Sequence, residues 1–364
     1  MFGFSMSEEQ RITRDTMQNF VKEEIFDIAH DMDEKGEIES SLLQKAWELG
    51  ISLSPVPEEY GGYGMINSPI MNSIILEELA CGDMAFTIAA TLPSLFIYPL
   101  LEMGTDYQKK KYLPLCCNES FTPFTLALNE PNFLFDPVEM KTTATKKNSS
   151  YILNGKKCFV PLAADSSHIM VAASLDNKSN LFIISKDNPG LSIGEREKNL
   201  GLYSLNSYEI SLENCEVPAD DRLGGEDGID YDKLMQKSRT GMSAIATGVS
   251  KASYEYARDY AKERVQFGEP IANRQSIAFM IAEMAYEVDA MRLMTWNAAS
   301  KLENGKDAKR EAYLAKIYAA EMTMKITDYG VQILGGHGYI RDHPVERYYR
   351  NGRGIAIIES MSIV

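Results

Sequence analysis

The sequence predicts a multidomain α+β protein: an all-α N-terminal domain, a middle antiparallel β-barrel or sandwich domain, and a C-terminal four-helix bundle. Helical patterns fill the first third of the chain, and short β-forming runs separated by turn signals fill the second. Long apolar stripes with helical spacing fill the last. A chain of 364 residues also exceeds the usual size of one hydrophobic core. We expect domain boundaries at 1–121, 122–230 and 231–364.

The N-terminal domain is predicted to begin with a capped helix. Ser7 is followed three positions later by Gln10, a spacing that is typical of a capping box. The segment PEEYGGYG, which starts at Pro57, is a turn-rich break. The strongly apolar segment that follows indicates buried helices up to about residue 120.

The middle domain is predicted from β-rich runs such as YILNGKKCFV, HIMVAASL and LFIISKD. We expect turns at Asn154-Gly155, Asn177-Lys178 and Asn188-Pro189-Gly190 to separate the strands. No helical pattern lies between these runs, which favours an antiparallel sheet over a parallel one.

The C-terminal domain is predicted from two apolar stripes whose members alternate spacings of three and four. Such stripes mark the buried face of a helix in a bundle. Their members are Ile277, Ile281, Met284, Val288 and Met291, and then Leu314, Tyr318, Met322, Ile326, Tyr329 and Ile333.

The composition argues against several classes of function. A net charge of −15 and a pI of about 4.9 disfavour nucleic acid or an anionic membrane as a partner. We see no secretory signal and no long apolar run, so we expect a cytoplasmic protein without a membrane span. The five cysteines are not spaced as zinc or CxxC pairs and there are only four histidines, so we expect no metal site.

Several ordered blocks carry a resemblance to a known family. The first third contains EEYGGYG, ILEELACGDMA and GTDYQKKKYLP, and the second contains NEPNFLFD and LENCEVPADDRLGGEDG. The last third contains YAKERVQFGEP, DYGVQILGGHGYIRDHPVERYYR and RNGRGIAIIES. Together they resemble the acyl-CoA dehydrogenase flavoprotein family. The resemblance implies the same α–β–α fold and FAD bound between the β domain and the bundle. It also implies a homo-oligomer, a dimer or tetramer, in which a neighbouring subunit completes each flavin site.

The resemblance further implies a reaction and its partners. The substrate would be an acyl-CoA or an acyl-carrier-protein thioester, and electrons would pass to electron-transfer flavoprotein. Desaturation needs a base for the α-proton, an acceptor for the β-hydride and stabilisation of the charge that develops on the thioester oxygen. In the family the base lies in a stretch like RDARxxxIYEGT, with which RNGRGIAIIESM aligns without gaps.

This alignment places Glu359 at the position of the catalytic base. The backbone N–H of Glu359 would help to polarise the thioester carbonyl, and Ser360 stands where the family has glycine beside the substrate. Arg239, in QKSRTG, matches an arginine near the thioester. The alternatives are an ordinary surface glutamate near the chain end and a surface salt bridge for Arg239.

The same resemblance implies a set of FAD contacts. Arg264, Phe267 and Gln275 match positions that reach a neighbouring subunit's FAD, and Gln332, Gly335 and Gly336 match contacts to its adenine half. The candidate contacts of the subunit's own flavin are Leu126, Leu128, Asn129, Phe159 and Pro161.

Two departures lie on the flavin-ring side. NEPNFLFD stands where the family reads TEPxAGSD, so that Phe135 replaces a serine that would contact substrate or cofactor, and bulky residues would fill its surroundings. Pro161 replaces a threonine and offers neither a hydroxyl nor an N–H. These changes leave two alternatives open: a flavin-poor or flavin-free partner subunit of a hetero-oligomeric dehydrogenase, and an oxidase or non-redox reaction on an acyl thioester.

Overall fold

The computed structural model describes residues 5–364 and begins with a helical domain. Ser7 caps the first helix, and the reciprocal bonds between Ser7 and Gln10 confirm the predicted capping box. A wider helical turn, Val21–Ile25, follows directly. The helices of this domain are α1 (Glu8–Phe20), α2 (Ala29–Lys35), α3 (Ser40–Glu48), α4 (Pro69–Gly82), α5 (Met84–Thr91), α6 (Ser94–Met103) and α7 (Asp106–Cys116).

The centre of this domain is the apolar segment of α4 to α6. Almost every residue of α5 and α6 is buried, because both helices are apolar on all sides. No single helix among residues 5–364 is long and apolar enough to cross a bilayer. Helices α5 and α6 taken together are long and apolar enough for a membrane span by length and composition alone, but they are bent by 40° at their junction.

The middle domain is a curled seven-stranded sheet with the order β1-β4-β2-β3-β7-β6, in which β5 pairs with β4. Most ladders are antiparallel, as predicted, but β1 and β2 both pair with β4 in parallel. The strands are β1 (Thr125–Ala127), β2 (Thr143–Lys147), β3 (Ser150–Pro161), β4 (His168–Leu175), β5 (Lys178–Ser185), β6 (Leu191–Arg196) and β7 (Ser207–Pro218).

One predicted turn is wrong, and the predicted turns at Asn177 and at 188–190 are confirmed. Asn154 and Gly155 lie inside β3, at a bulge in its pairing with β7, and the β2–β3 turn falls at Asn148 instead. A Cβ on Gly155 would come within 2.5 Å of Thr142, so glycine permits a close approach at this bulge. The predicted turn at Asn177 does join β4 to β5, with Asp176 and Asn177 both at positive φ.

Four helices form the C-terminal bundle, as the stripes predicted. A short hairpin of β8 (Val265–Gln266) and β9 (Glu269–Pro270) links the first two helices, and the single-turn helix α11 (Gly336–Tyr339) precedes the last. The bundle helices are α8 (Tyr231–Glu263), α9 (Gln275–Glu303), α10 (Lys309–Leu334) and α12 (Val345–Ile357).

The larger hydrophobic core joins both helical domains to one face of the sheet, and the other face of the sheet has a second core of its own. An ion pair also joins the two helical domains, with Arg350 Nη2 2.6 Å from Oδ2 of the buried Asp33. The segment after α12 therefore lies where the bundle, the first domain and the sheet meet.

Candidate active site

Glu359 lies in the segment that follows α12. The helix ends at Ile357, and the N–H of Ile358 donates to the carbonyl of Gly354. Ser360 then adopts a left-handed backbone with φ of 55°, which costs a non-glycine residue about 1 kcal/mol. The side chain of Glu359 is only 15% exposed to solvent. The Glu359 carboxylate is therefore held at a domain junction. It is not an ordinary, solvent-exposed surface glutamate.

Two cations from the bundle face the Glu359 carboxylate. Lys316 Nζ, on α10, donates to Oε1 at 2.9 Å. Arg239 Nε, on α8, lies 3.6 Å from Oε2, and neither of these two buried atoms has a hydrogen-bond partner within the described residues. The Arg239 guanidinium also lies over the ring of Tyr313, 5.1 Å from its centroid. Arg239 and Glu359 are thus brought together, and one carboxylate oxygen retains hydrogen-bonding capacity.

Asn129 and Ser360 hold the main chain around Glu359. The carboxamide of Asn129, just beyond β1, accepts from the N–H of Glu359 at 2.9 Å and donates to its carbonyl at 2.7 Å. The Ser360 hydroxyl lies 3.0 Å from the Ser238 hydroxyl on α8. Strand end, helix and terminal segment are therefore bound to one another at this residue.

A buried ion pair supports the strand end that carries Asn129. Lys157 Nζ, fully buried in β3, donates to Glu130 at 2.9 Å and to the carbonyl of Leu128 at 3.0 Å. Burial lowers the pKa of Lys157 to about 8, although Glu130 opposes this shift. Burial tends to raise the pKa of Glu130, but Lys157 and hydrogen bonds from Thr142 and Lys141 outweigh it and hold that pKa below its usual value.

The candidate flavin-ring residues lie on the sheet side of the junction. Leu126, Leu128 and Pro161 are buried. Phe159 has φ of 51°, and its N–H donates to the Glu197 carboxylate at 3.1 Å. Phe159 also lines a cavity of about 100 Å³ together with Leu202, Gly354 and Ile358.

The bulky residues of NEPNFLFD do not all turn inward. Phe133 and Leu134 are almost fully exposed. Phe135 is half-buried and packs against the larger core. Phe133 therefore does not fill the junction, in contrast to the expectation from its size.

A second group of candidate residues lies at the far end of α8. Arg264 and the Gly335-Gly336 pair line a cavity of about 260 Å³, together with Tyr260 and His337. A Cβ built on either glycine would meet nothing within 4 Å, so the backbone here borders open space. A cation beside exposed main chain is suited to hold a phosphorylated ligand.

The remaining candidates for cofactor contacts are exposed at the surface. Phe267 is 93% exposed at the tip of the β8–β9 hairpin. Gln275 begins α9, and Gln332 lies in the last turn of α10. These side chains are available to another subunit. The described residues contain no group of side chains that could hold a metal ion.

Lys316, which makes the shortest contact with the Glu359 carboxylate, was not among the candidate residues predicted from the sequence. A signal was available, because Lys316 falls on the same helical face as Ala312, Ala319 and Thr323, all buried in the structure. A single cation on a face of small residues suggests a buried anion opposite it. Nothing in the sequence indicated which anion.

Comparison with known proteins identifies the family. Profiles of the N-terminal, middle and C-terminal domains of acyl-CoA dehydrogenase match residues 7–120, 125–215 and 228–359, respectively. The chain belongs to the acyl-CoA dehydrogenase family. This membership confirms the predicted family, its three-part fold and its class of oxidoreductase.

Individual members of the family are similar along nearly the whole chain. An acyl-CoA dehydrogenase of Bacillus subtilis is 35% identical over 97% of this chain and 95% of its own length. The caffeyl-CoA reductase-Etf complex subunit CarC of Acetobacterium woodii is 34% identical over 98% and 96%. The solved butyryl-CoA dehydrogenase of Megasphaera elsdenii has a TM-score of 0.88 and 30% identity, with coverage of 98% and 95%.

Proposed function

We propose that this member of the acyl-CoA dehydrogenase family desaturates an acyl thioester between its α- and β-carbons, with Glu359 as the base that removes the α-proton. The observation that carries the proposal is the position of Glu359, a carboxylate screened from water and faced by Lys316 and Arg239 at the domain junction. Buried carboxylates are rare without such compensation, and one with a free oxygen can accept a proton from a ligand.

Three residues orient this carboxylate in the proposed site. Lys316 holds Oε1 from α10, while Arg239 faces Oε2 without a hydrogen bond to it. Ser360 anchors the segment to α8 through Ser238. Oε2 is therefore the oxygen that we expect to receive the α-proton, because Oε1 is already engaged.

We infer that the site uses FAD, which supplies the acceptor for the β-hydride when it is bound. Leu126, Leu128 and Phe159 would border its ring, and Pro161 would lie beside the ring without donating a hydrogen bond. Arg264 and the open backbone at Gly335 and Gly336 would hold the phosphate and adenine half. The unfilled space at these glycines fits an approaching dinucleotide.

The two groups of residues belong to different FAD molecules in this proposal. Arg239 and Arg264 are 25 positions apart on and just past one continuous helix, which corresponds to roughly 37 Å at 1.5 Å per residue. We call the segment that contains Arg264 and the β8–β9 hairpin, with Phe267 at its tip, the arm. This arm would then complete a neighbouring subunit's site. We therefore propose a homo-oligomer, a dimer or tetramer.

The thioester carrier and the electron acceptor are proposed from the relatives. Two similar proteins carry a CoA thioester in their names, and one is named as a subunit of an Etf complex. We propose acyl-CoA or an acyl-carrier-protein thioester as the substrate and electron-transfer flavoprotein as the acceptor.

A second candidate function is a flavin-poor partner subunit within a hetero-oligomeric dehydrogenase. Pro161 favours it, because the family's threonine hydroxyl and the N–H are both missing from the flavin-ring side. An absorbance spectrum of the purified protein separates the two candidates. A flavin spectrum that bleaches with butyryl-CoA supports the dehydrogenase, whereas a colourless protein that takes up no added FAD supports the partner subunit.

The base assignment is tested with Glu359→Gln. This variant should lose at least about 10³-fold in desaturation rate, since the amide cannot accept the proton, and should retain its FAD content. Glu213→Gln, at an exposed position in β7, is the matched control and should behave like the parent. Parental turnover by Glu359→Gln would exclude Glu359 as the base.

A further inference from the structure

The side chain of Asn129 pairs with both main-chain groups of Glu359. The N–H of Glu359 donates to Asn129 Oδ1 at 2.9 Å, and Asn129 Nδ2 donates to the carbonyl of Glu359 at 2.7 Å. These two bonds fix the orientation of the carboxamide, because its oxygen must face the N–H and its nitrogen the carbonyl. Asn129 is only 4% exposed, so water competes weakly for either bond.

Asn129 itself is held rigidly. Its carbonyl accepts from the N–H of Cys158 in β3 at 2.9 Å. The carboxylate of the next residue, Glu130, binds Lys157 and the N–H groups of Lys141 and Thr142. The carboxamide therefore projects from a fixed strand end towards a segment that has no regular secondary structure.

The segment that Asn129 binds needs such support. Ser360 has a left-handed backbone that favours glycine, and it follows directly after Glu359. The two hydrogen bonds between Asn129 and Glu359 offset this backbone strain. The Asn129 carboxamide thus helps to keep Glu359 in place.

The same bonds use a donor that the proposed reaction requires. The N–H of Glu359 would help to polarise the thioester carbonyl, yet Asn129 Oδ1 already accepts from it, and one N–H makes only one strong, linear hydrogen bond. We propose that Asn129 is a positioning residue that clamps Glu359 by its main chain and competes with the thioester carbonyl for the Glu359 N–H. The competition rests on the proposed function, whereas the clamp rests only on the two hydrogen bonds between Asn129 and Glu359.

Hydrogen exchange of the purified protein tests the clamp without any ligand. In Asn129→Ala the amide hydrogens of the peptide that covers residues 355–364 should exchange about fivefold faster or more, as the loss of one buried hydrogen bond implies. Asn118→Ala, at an exposed asparagine, is the control and should leave this peptide unchanged. Unchanged exchange in a folded Asn129→Ala protein overturns the clamp.

A second variant keeps this test decisive if Asn129→Ala does not fold. Asn129→Asp preserves the shape and the acceptor that faces the Glu359 N–H, but its second oxygen faces the Glu359 carbonyl and repels it. The same peptide should again exchange faster. Parental exchange in Asn129→Asp contradicts the two-point geometry.

Ligand discrimination tests the competition. In the Glu359→Gln background, which retains the main chain, dissociation constants are measured for butyryl-CoA and for S-butyl-CoA, a thioether without the carbonyl. Adding Asn129→Ala should shift their ratio about fivefold in favour of the thioester, because the Glu359 N–H becomes free. An unchanged ratio overturns the competition. Failure of both ligands to bind overturns the proposed function and with it the competition, while hydrogen exchange still decides the clamp.

Discussion

Glu359 is surrounded by groups from three parts of the fold. Lys316 comes from α10, Arg239 from α8 and Asn129 from the end of β1, and each contacts a different atom of the residue. Because the carboxylate is mostly screened from water, each of these contacts is stronger than it would be at the surface. Removing a single partner should therefore be measurable.

Replacing Lys316 should affect both stability and catalysis. Lys316→Met removes a charge-assisted hydrogen bond from a largely buried carboxylate, which should lower the free energy of unfolding by about 1.5–3 kcal/mol. Because Oε1 of Glu359 then lacks its hydrogen-bond donor, the carboxylate is less well oriented. We therefore expect kcat to fall about tenfold while KM changes little. Urea unfolding and steady-state kinetics measure the two effects.

The controls for Lys316 are a rescue and a matched lysine. Lys316→Arg should recover part of kcat, because it restores a cation near Oε1. Lys325→Met removes another lysine of α10, whose ion pair with Glu283 is more exposed, and should cost less stability. Equal losses of stability in Lys316→Met and Lys325→Met would contradict a special role for Lys316.

The end of α10 shapes a cavity with its backbone alone. The helix stops at Leu334, and Gly335 turns the chain with φ of 60° and ψ of −127°, a conformation that essentially only glycine adopts. Gly336 begins α11 without positive φ, and both glycines border the cavity beside Arg264. One position therefore needs glycine for its backbone and the other only for space.

A pair of alanine substitutions separates these two needs. Gly335→Ala should lower the free energy of unfolding by about 1–3 kcal/mol, because its conformation is strained for an L-residue. Gly336→Ala should leave stability nearly unchanged. It should still weaken FAD binding, because the added methyl group enters the cavity beside Arg264. Urea unfolding and FAD titration measure the two quantities. Parental FAD affinity in Gly336→Ala would remove this glycine from the proposed cofactor site.

The molecule as a whole presents apolar side chains that it does not cover itself. On α9 the exposed residues Phe279, Tyr286 and Leu293 recur every seven positions, so they lie along one face of the helix. The same helix begins with Gln275, beside the arm that would reach a neighbouring FAD. An oligomer would bury this face and complete the cofactor sites together.

Disrupting this face should therefore also empty the cofactor site. Tyr286→Arg should reduce the mass of the particle measured by light scattering and lower its FAD content in parallel, since the neighbour's arm is lost. Ile12→Arg, at an exposed apolar residue of α1, is the control and should change neither quantity. Dissociated subunits that retain full FAD content would show that one chain completes its own site.

The amino-acid sequence by itself determined the order of the elements and the residue types that the chemistry needs. The capping box at Ser7 and the turn at Asn177 are local patterns, and both are borne out, because propensity and periodicity act over a few residues. The first bundle stripe has its centre buried at Met284, Val288 and Met291, whereas Leu314 of the second stripe is 39% exposed because the small residues of α10 face the core instead. The position of Glu359 followed from aligned blocks, whereas the domain boundaries and the roles of the site residues remain predictions. Asn154-Gly155 misled because the same dipeptide that forms turns also permits a bulge within a strand.

Only the tertiary structure decided what surrounds Glu359. Lys316 is 43 positions away and Asn129 is 230 positions away in the chain, so no local pattern could pair either residue with Glu359. Their meeting depends on how the bundle packs against the sheet, and this packing is set by burial of the larger core, which includes residues of both. Hydrophobic burial is non-directional, so it fixes such distant polar contacts only once all the elements are in place.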